Sequence, residues 1–245
     1  MIDMHTHLDL YPDALKIADK VDKENVFTLA VTTSPRAWIA TSKVFEKYKN
    51  IYVSVGLHPE IVEAKANEVD LLIDCIKTSN FVGEVGIDGS KRFSKSITLQ
   101  TSIFEKVLQE CESQNGKIIS IHSRAAESTV LNLLSKYPRC GTPILHWFSG
   151  KAKELETAIE LGCWFSINPI MCNTKKGMSL IEKMPKNRIL PESDGPFTSL
   201  DNKAIYPWEA INVANTLEKI WHCSYDDVVS QLKINLDTLL GRTYE

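Results

Sequence analysis

The chain opens Met1-Ile2-Asp3-Met4-His5-Thr6-His7, which puts two imidazoles two residues apart on an apolar stretch. In a strand, residues i and i+2 point to the same face, so His5 and His7 would aim their rings at one point. That gives a divalent metal two nitrogen ligands from one rigid element. In a chain with six histidines the pair alone is weak evidence. Its weight comes from what recurs downstream. Glu84 lies in Gly83-Glu84-Val85-Gly86-Ile87-Asp88, His122 in Ile121-His122-Ser123-Arg124, His146 in Leu145-His146-Trp147-Phe148-Ser149-Gly150, and Asp194 in Pro191-Glu192-Ser193-Asp194-Gly195-Pro196. Each follows an apolar run. A lone histidine on an apolar strand is usually a packing residue. Four of them, with two carboxylates in matching positions, suit a centre of two metals that share a carboxylate and keep positions open for water and substrate.

Eight short apolar or β-branched runs would carry these residues: 1–6, 26–31, 51–55, 81–85, 117–121, 143–145, 163–167 and 188–191. Helical segments fall near 11–23, 35–48, 66–78, 97–114, 124–136, 151–161 and 176–183, and helices near 207–221 and 225–240 close the chain. Strands apolar on both faces mark a parallel sheet. Eight such units in 245 residues predict an α/β fold, a parallel (β/α)8 TIM barrel. A doubly wound open sheet reads the same way locally. The sequence has no linker, low-complexity segment or internal repeat, so 1–245 is expected to form a single domain. In such a barrel the active site lies at the C-terminal ends of the strands, where His5, His7, Glu84, His122, His146 and Asp194 fall.

Composition narrows the classes. With 43% hydrophobic and 24% charged residues, the chain can bury a large core. A net charge of -3 provides no global basic field, so any attraction to nucleic acid must be local. The six cysteines are scattered, without a C-x-x-C, and read as reduced thiols of a cytoplasmic protein. No apolar stretch approaches membrane-spanning length, and a cleaved leader is not expected because the N-terminus is itself the site.

The motifs Asp3-Met4-His5-Thr6-His7-Leu8-Asp9, Gly56-Leu57-His58-Pro59, Gly83-Glu84-Val85-Gly86-Ile87-Asp88, Ile121-His122-Ser123-Arg124, His146-Trp147-Phe148-Ser149-Gly150 and Glu192-Ser193-Asp194 together resemble the TatD family. These are metal-dependent deoxyribonucleases on a TIM barrel in the amidohydrolase superfamily. The resemblance runs from residue 1 to about 240 and fills all six metal positions in order. It implies that His5, His7 and Asp194 hold one divalent ion, that Glu84 bridges, and that His122 and His146 hold the second. It also implies that His58 and Arg124 bind substrate phosphate, and that the substrate is DNA, as a single strand or an end. Some positions depart from the family pattern. Gly195 replaces the alanine of Glu-Thr-Asp-Ala-Pro, Gly89-Ser90 replaces an aromatic pair, and Lys203-Ala204-Ile205-Tyr206-Pro207 replaces Arg-Asn-x-Pro. The chain is also shorter than most members. In these respects it resembles the TatD-like subunits of Qat-type bacterial antiphage operons, which implies a role in antiviral defence beside protein partners.

The roles follow from the chemistry. Two ions lower the pKa of a water and stabilise both the attacking and the leaving oxygen of a phosphodiester. Asp194 is placed as ligand and general base for that water. His58 and Arg124 would donate to the non-bridging oxygens, although His58 also fits a turn before Pro59 and Arg124 a helix-start ion pair. Glu192 fits a hydrogen-bond partner behind a ligand better than a ligand for an extra ion, and Asp88 and Asp3 read the same way. Lys91-Arg92, Arg124 and Lys175-Lys176, with Phe93 and Trp147 nearby, would form a basic rim that binds a polyanion. Zn, Mn and Mg all remain open as the metal. Two other functions stay in view. One is a small-molecule amidohydrolase, but many of these bridge their metals with a carbamylated lysine on strand 4, where this chain has Glu84. The other is a binding subunit of a larger defence complex, which loss of a ligand would signal; none is lost.

Overall fold

The protein is described from a computed structural model, which covers residues 1–241. Eight parallel strands follow one another in the chain: β1 (Ile2–Thr6), β2 (Phe27–Val31), β3 (Ile51–Ser54), β4 (Phe81–Gly86), β5 (Lys117–His122), β6 (Gly141–His146), β7 (Trp164–Ile167) and β8 (Ile189–Pro191). Neighbours in sequence are neighbours in space. β1-β2-β3 pair in order, and so do β4-β5-β6-β7-β8. Two seams join these sheets. At the first, Val55 bridges Val82 in parallel and Gly83 N donates to Val55 O at 2.9 Å. At the second, Asp194 N donates to His5 O and His7 N to Gly195 O, both at 2.8 Å. The last strand therefore returns to the first and the sheet closes as a TIM barrel. A doubly wound sheet would need its strand order to reverse at a switch point, and none occurs.

The strands are buried because their residues are apolar on both faces. Every residue of β1, β2 and β4 is buried. Around them pack α1 (Ala14–Lys23), α2 (Pro35–Phe45), α3 (Val62–Lys65), α4 (Val69–Ile76), α5 (Ile97–Ser113), α6 (Glu127–Lys136), α7 (Ala152–Glu160), α8 (Pro169–Cys172), α9 (Lys175–Ile181), α10 (Ala214–Trp221) and α11 (Tyr225–Leu239). Their apolar residues recur at helical spacing. In α5, Ile103, Phe104, Val107, Leu108 and Cys111 are buried, and each large side chain contributes about 1.5–3 kcal/mol by leaving water. Helix starts are capped where the sequence provides an oxygen acceptor. Ser34 Oγ accepts from Ala37 N at 3.3 Å ahead of Pro35, and Ser224 Oγ accepts from Asp227 N at 3.2 Å.

Several boundaries differ from expectation, for local reasons. The first helix starts at Ala14, not near 11, because Tyr11 precedes Pro12 and takes an extended conformation (φ -72°, ψ 139°). The helix expected over 66–78 begins as a 3-10 turn, Ala66–Glu68, directly after the short α3, and becomes α4 only at Val69. The change falls at Glu68, which is buried and accepts from Lys65 Nζ at 2.9 Å. The helix expected from 207 begins as a 3-10 segment, Pro207–Val213, before α10. A hairpin of β9 (Ser199–Leu200) and β10 (Lys203–Ala204) was not anticipated. Its turn residues, Asp201 and Asn202, both have positive φ (51° and 61°), the mark of a type I′ turn. No helix among the described residues is long and apolar enough to cross a membrane.

Candidate metal centre

The strand ends bring the chemistry to one place. Glu84, on β4, is buried to 1% exposure at the middle of the cluster. Its two oxygens face two different sets of side chains. Oε2 lies 3.3 Å from His5 Nε2 and 3.1 Å from His7 Nε2. Asp194 Oδ1 completes that set, 3.6 Å from His5 Nε2 and 3.9 Å from His7 Nε2. Oε1 lies 2.7 Å from His122 Nδ1 and 3.3 Å from His146 Nε2. The six expected ligands therefore form two sets that share one carboxylate.

Three of the rings are met from behind by side chains of the chain itself. His5 Nδ1 lies 2.8 Å from Ser120 Oγ, His122 Nε2 lies 2.9 Å from Asp88 Oδ2, and His146 Nδ1 lies 3.4 Å from Glu192 Oε1. Fixing one ring nitrogen aims the other into the cluster, which is how a carboxylate behind a histidine prepares a metal ligand. Glu192 is itself fixed by donors from Ser166 Oγ and from Asn168 Nδ2, the latter at 2.9 Å. Asp3 braces the seam. Its Oδ1 accepts from Ser193 N at 2.9 Å and His5 N at 3.2 Å, and its Oδ2 from Ser193 Oγ at 2.6 Å. Asp194, two positions beyond Glu192, has a φ of 50°, a left-handed conformation that turns its carboxylate inward.

Electrostatics divides the two sets. Burial holds the His5 imidazole down at about 4, so it is neutral. Burial also works against a charge on His122, yet hydrogen bonds to Asp88 and Glu84 raise it to about 9. His146 is likewise raised well above the usual histidine range, against its burial, by Glu192 and Glu84. Burial disfavours ionised Glu84 too, but the imidazoles around it, His58 first, keep its carboxyl well below the ordinary value. Burial, reinforced by Glu192 and Glu84, pushes Asp194 well above its ordinary value.

The donor set fits divalent ions. Among the described residues, His5 Nε2 and Glu84 Oε2 are buried without a hydrogen-bond partner, although such atoms are normally paired. Ligand atoms of His5, His7 and Glu84 lie within 4.8 Å of one another, and so do those of His58, Glu84 and His122, and of His5, His146 and Glu192. His58 therefore reaches the cluster as well, with Nε2 3.3 Å from Glu84 Oε1. Its Nδ1 accepts from Glu60 N at 3.2 Å, which puts a ring proton on Nε2. That makes His58 a donor at the cluster and at the same time the cap of the turn after Pro59. His122 and His146 have their rear nitrogens facing carboxylates, which leaves their front nitrogens suited to an ion.

The other substrate-side candidates lie at different depths. A cavity of about 610 Å³ opens over the cluster, lined among others by His58, Arg124, Trp147, Ser149, Asp194 and Phe197. Arg124 is exposed there and makes no ion pair with another described residue. Lys176 donates from Nζ to Ser149 O at the rim, while Lys175, Lys91 and Arg92 are exposed and do not line the cavity. Phe93 packs against Arg92, 5.0 Å from ring centroid to guanidinium. Phe197, Thr33 and Glu60 also line the cavity and were missed in the sequence. For Phe197 a signal was present, an aromatic three residues after the strand-8 carboxylate. The change from alanine to Gly195 has a steric cause, since a Cβ there would collide with Tyr11 Oη and Ile205 O, which are themselves hydrogen-bonded.

A TIM barrel with this histidine–carboxylate cluster at its strand C-termini defines the class of metal-dependent hydrolases. The chain belongs to the family of TatD-related DNases, whose model matches residues 2–241. It is 29% identical over 221 residues to an uncharacterized metal-dependent hydrolase of Buchnera aphidicola, covering 81% of this chain and 82% of that one. It is 22% identical over 244 residues to the 3'-5' ssDNA/RNA exonuclease TatD of Citrobacter koseri, covering 90% and 93%. The fold matches the crystal structure of the TatD homolog YJJV from Escherichia coli with a TM-score of 0.86 at 21% identity, over 98% of this chain and 97% of that one.

Proposed function

We propose that the protein hydrolyses phosphodiester bonds of DNA, preferring a single strand or an end, with the whole chain 1–245 acting as one cytoplasmic domain. The observation that carries this reading is the division of Glu84, whose two oxygens face separate ligand sets at 3.1–3.3 Å and 2.7–3.3 Å. Two divalent ions, Zn, Mn or Mg, held by His5, His7 and Asp194 on one side and His122 and His146 on the other with Glu84 between, would supply an acidified water and a clamp on the attacking and leaving oxygens. The chain's own residues do the rest. Asp194 takes the proton of the attacking water, its carboxylate facing the His5–His7 side of the cluster. His58 Nε2–H and the Arg124 guanidinium donate to the non-bridging oxygens, where charge develops. Lys175 and Lys176 extend the positive rim along which a strand lies. The name of the Citrobacter koseri relative, a 3'-5' ssDNA/RNA exonuclease, supports the single-stranded, end-directed reading.

The loop departures at Gly89-Ser90, Gly195 and 203–207 support the further reading that the protein serves antiphage defence beside operon partners, as in Qat-type systems. The deciding experiment is a matrix of divalent ions against single-stranded DNA, duplex DNA, RNA and a simple phosphodiester. The expected result is ion-dependent hydrolysis, fastest on single strands. Hydrolysis of amides or esters with no phosphodiester cleaved under any ion would overturn the reading in favour of a small-molecule amidohydrolase. For the defence role, a single-ligand variant should lose protection in a plaque assay on cells carrying the operon.

A further inference from the structure

Phe197 is 65% exposed, the most exposed large apolar side chain among the described residues. A scattered apolar residue on a surface is ordinary. Phe197 differs in position, because of the exposed large apolar side chains it is the one that lines the cavity over the metal cluster. Its ring meets His7 in a T-shaped contact, with centroids 4.9 Å apart and planes at 83°. The rest of the side chain stays open to the cavity. The backbone beneath is fixed. Phe197 N donates to Asp194 O at 3.1 Å, Thr198 N to the same oxygen at 3.2 Å, and Ile205 N to Thr198 O at 3.1 Å. An aromatic ring on an anchored turn has little conformational freedom to lose on binding.

We propose that Phe197 is the stacking platform for the nucleobase next to the scissile phosphate, and so a specificity-determining residue of this site. The inference rests on the phosphodiesterase reading above and adds what lies beside the phosphate. A phosphate held at the cluster, near His7 and Asp194, places the attached base about one sugar away, where the exposed ring of Phe197 stands. Every base has a π-face, so stacking there accepts any sequence yet rejects a phosphodiester with no base. Arg124 lies on the same cavity from the β5 end and can take the charge of the chain while Phe197 takes the base.

The test compares oligonucleotides with the terminal bases present against the same strands with abasic residues there, using wild type, F197A, F197L and F197W. Wild type should cleave the intact strand with a KM about five- to hundred-fold below that of the abasic strand. F197A should lose that advantage while cleaving the abasic strand like wild type. F197W should restore it, and F197L, which keeps apolar bulk without a π-face, should not. Melting temperature should stay at the wild-type value in all three variants, because the side chain is largely exposed, and kinetics are compared at saturating ion because the ring touches the ligand His7. Equal losses on both strands, or rescue by F197L, would overturn the stacking role and leave the phosphodiesterase reading standing. Wild-type protein inert on every nucleic acid would overturn both.

Discussion

On one side of Glu84 the ligands come from opposite ends of the chain. His5 and His7 lie on β1 and Asp194 follows β8, and the main-chain bonds that close the barrel set their spacing, Asp194 N to His5 O and His7 N to Gly195 O at 2.8 Å. On the other side His122 and His146 lie on adjacent strands at matching register, one residue past the Ile121–Leu145 pair. There side chains do the positioning, with Asp88 behind His122 and Glu192 behind His146. The first set is built by backbone closure and holds His5 neutral. The second is built by buried carboxylates, which raise the proton affinity of its imidazoles. A barrel can thus make two ligand sets around one carboxylate by different means, and perturbations should separate them.

Glu84 is the exception, because it belongs to both. E84Q should remove both ions and lower turnover by about four orders of magnitude or more, read by metal analysis and kinetics. One ion retained at wild-type affinity would dissolve the shared-carboxylate assignment. D194N disturbs only the seam side. Turnover should fall by about two to four orders of magnitude while the ion at His122 and His146 stays bound. Loss of both ions in D194N would mean that the two sets are not separable.

D88N and E192Q address the opposite side, with an expected loss of about 10- to 100-fold in affinity for one ion and little change at the other. Calorimetric metal titration, which resolves two affinities, distinguishes this from a uniform loss.

The comparison also has a pH signature. A group that must lose its proton to ligate makes affinity rise with pH up to its own pKa. His122 is held at about 9, so binding of an ion by the second set should release its proton near pH 7, and the raised His146 adds to that release. His5, held at about 4, has no proton to release when it takes up an ion near pH 7. Titrations in buffers of different ionisation enthalpy count these protons. Equal counts at the two sites would erase the distinction.

The smallest effect belongs to the rim. K175A/K176A should make the salt dependence of single-strand binding shallower by about one log-log unit or more, with the cleavage of a minimal phosphodiester untouched. An unchanged slope would remove Lys175 and Lys176 from the substrate path.

Much of this was legible in the sequence because it is periodic or local. Apolar runs of strand length name eight strands, and alternation on β1 puts His5 and His7 on one face, since successive side chains of a strand take opposite sides. The ligand types, and the positions of Glu84, His122, His146 and Asp194 after apolar runs, needed only the rule that barrel sites gather at strand ends. The I′ hairpin could also have been read from Asp201-Asn202. Tertiary structure decided what depends on residues far apart in the chain. Closure at the β8–β1 seam, with Asp3 accepting from Ser193, joins residues 190 positions apart, and no local propensity encodes such a contact. The tautomer of His58, the opposite shifts in proton affinity of His5 and His122, and the exposure of Phe197 follow from which buried groups finally face one another. Proton affinities in a closed site are sums over neighbours and lost water, and both are fixed only once the barrel has closed.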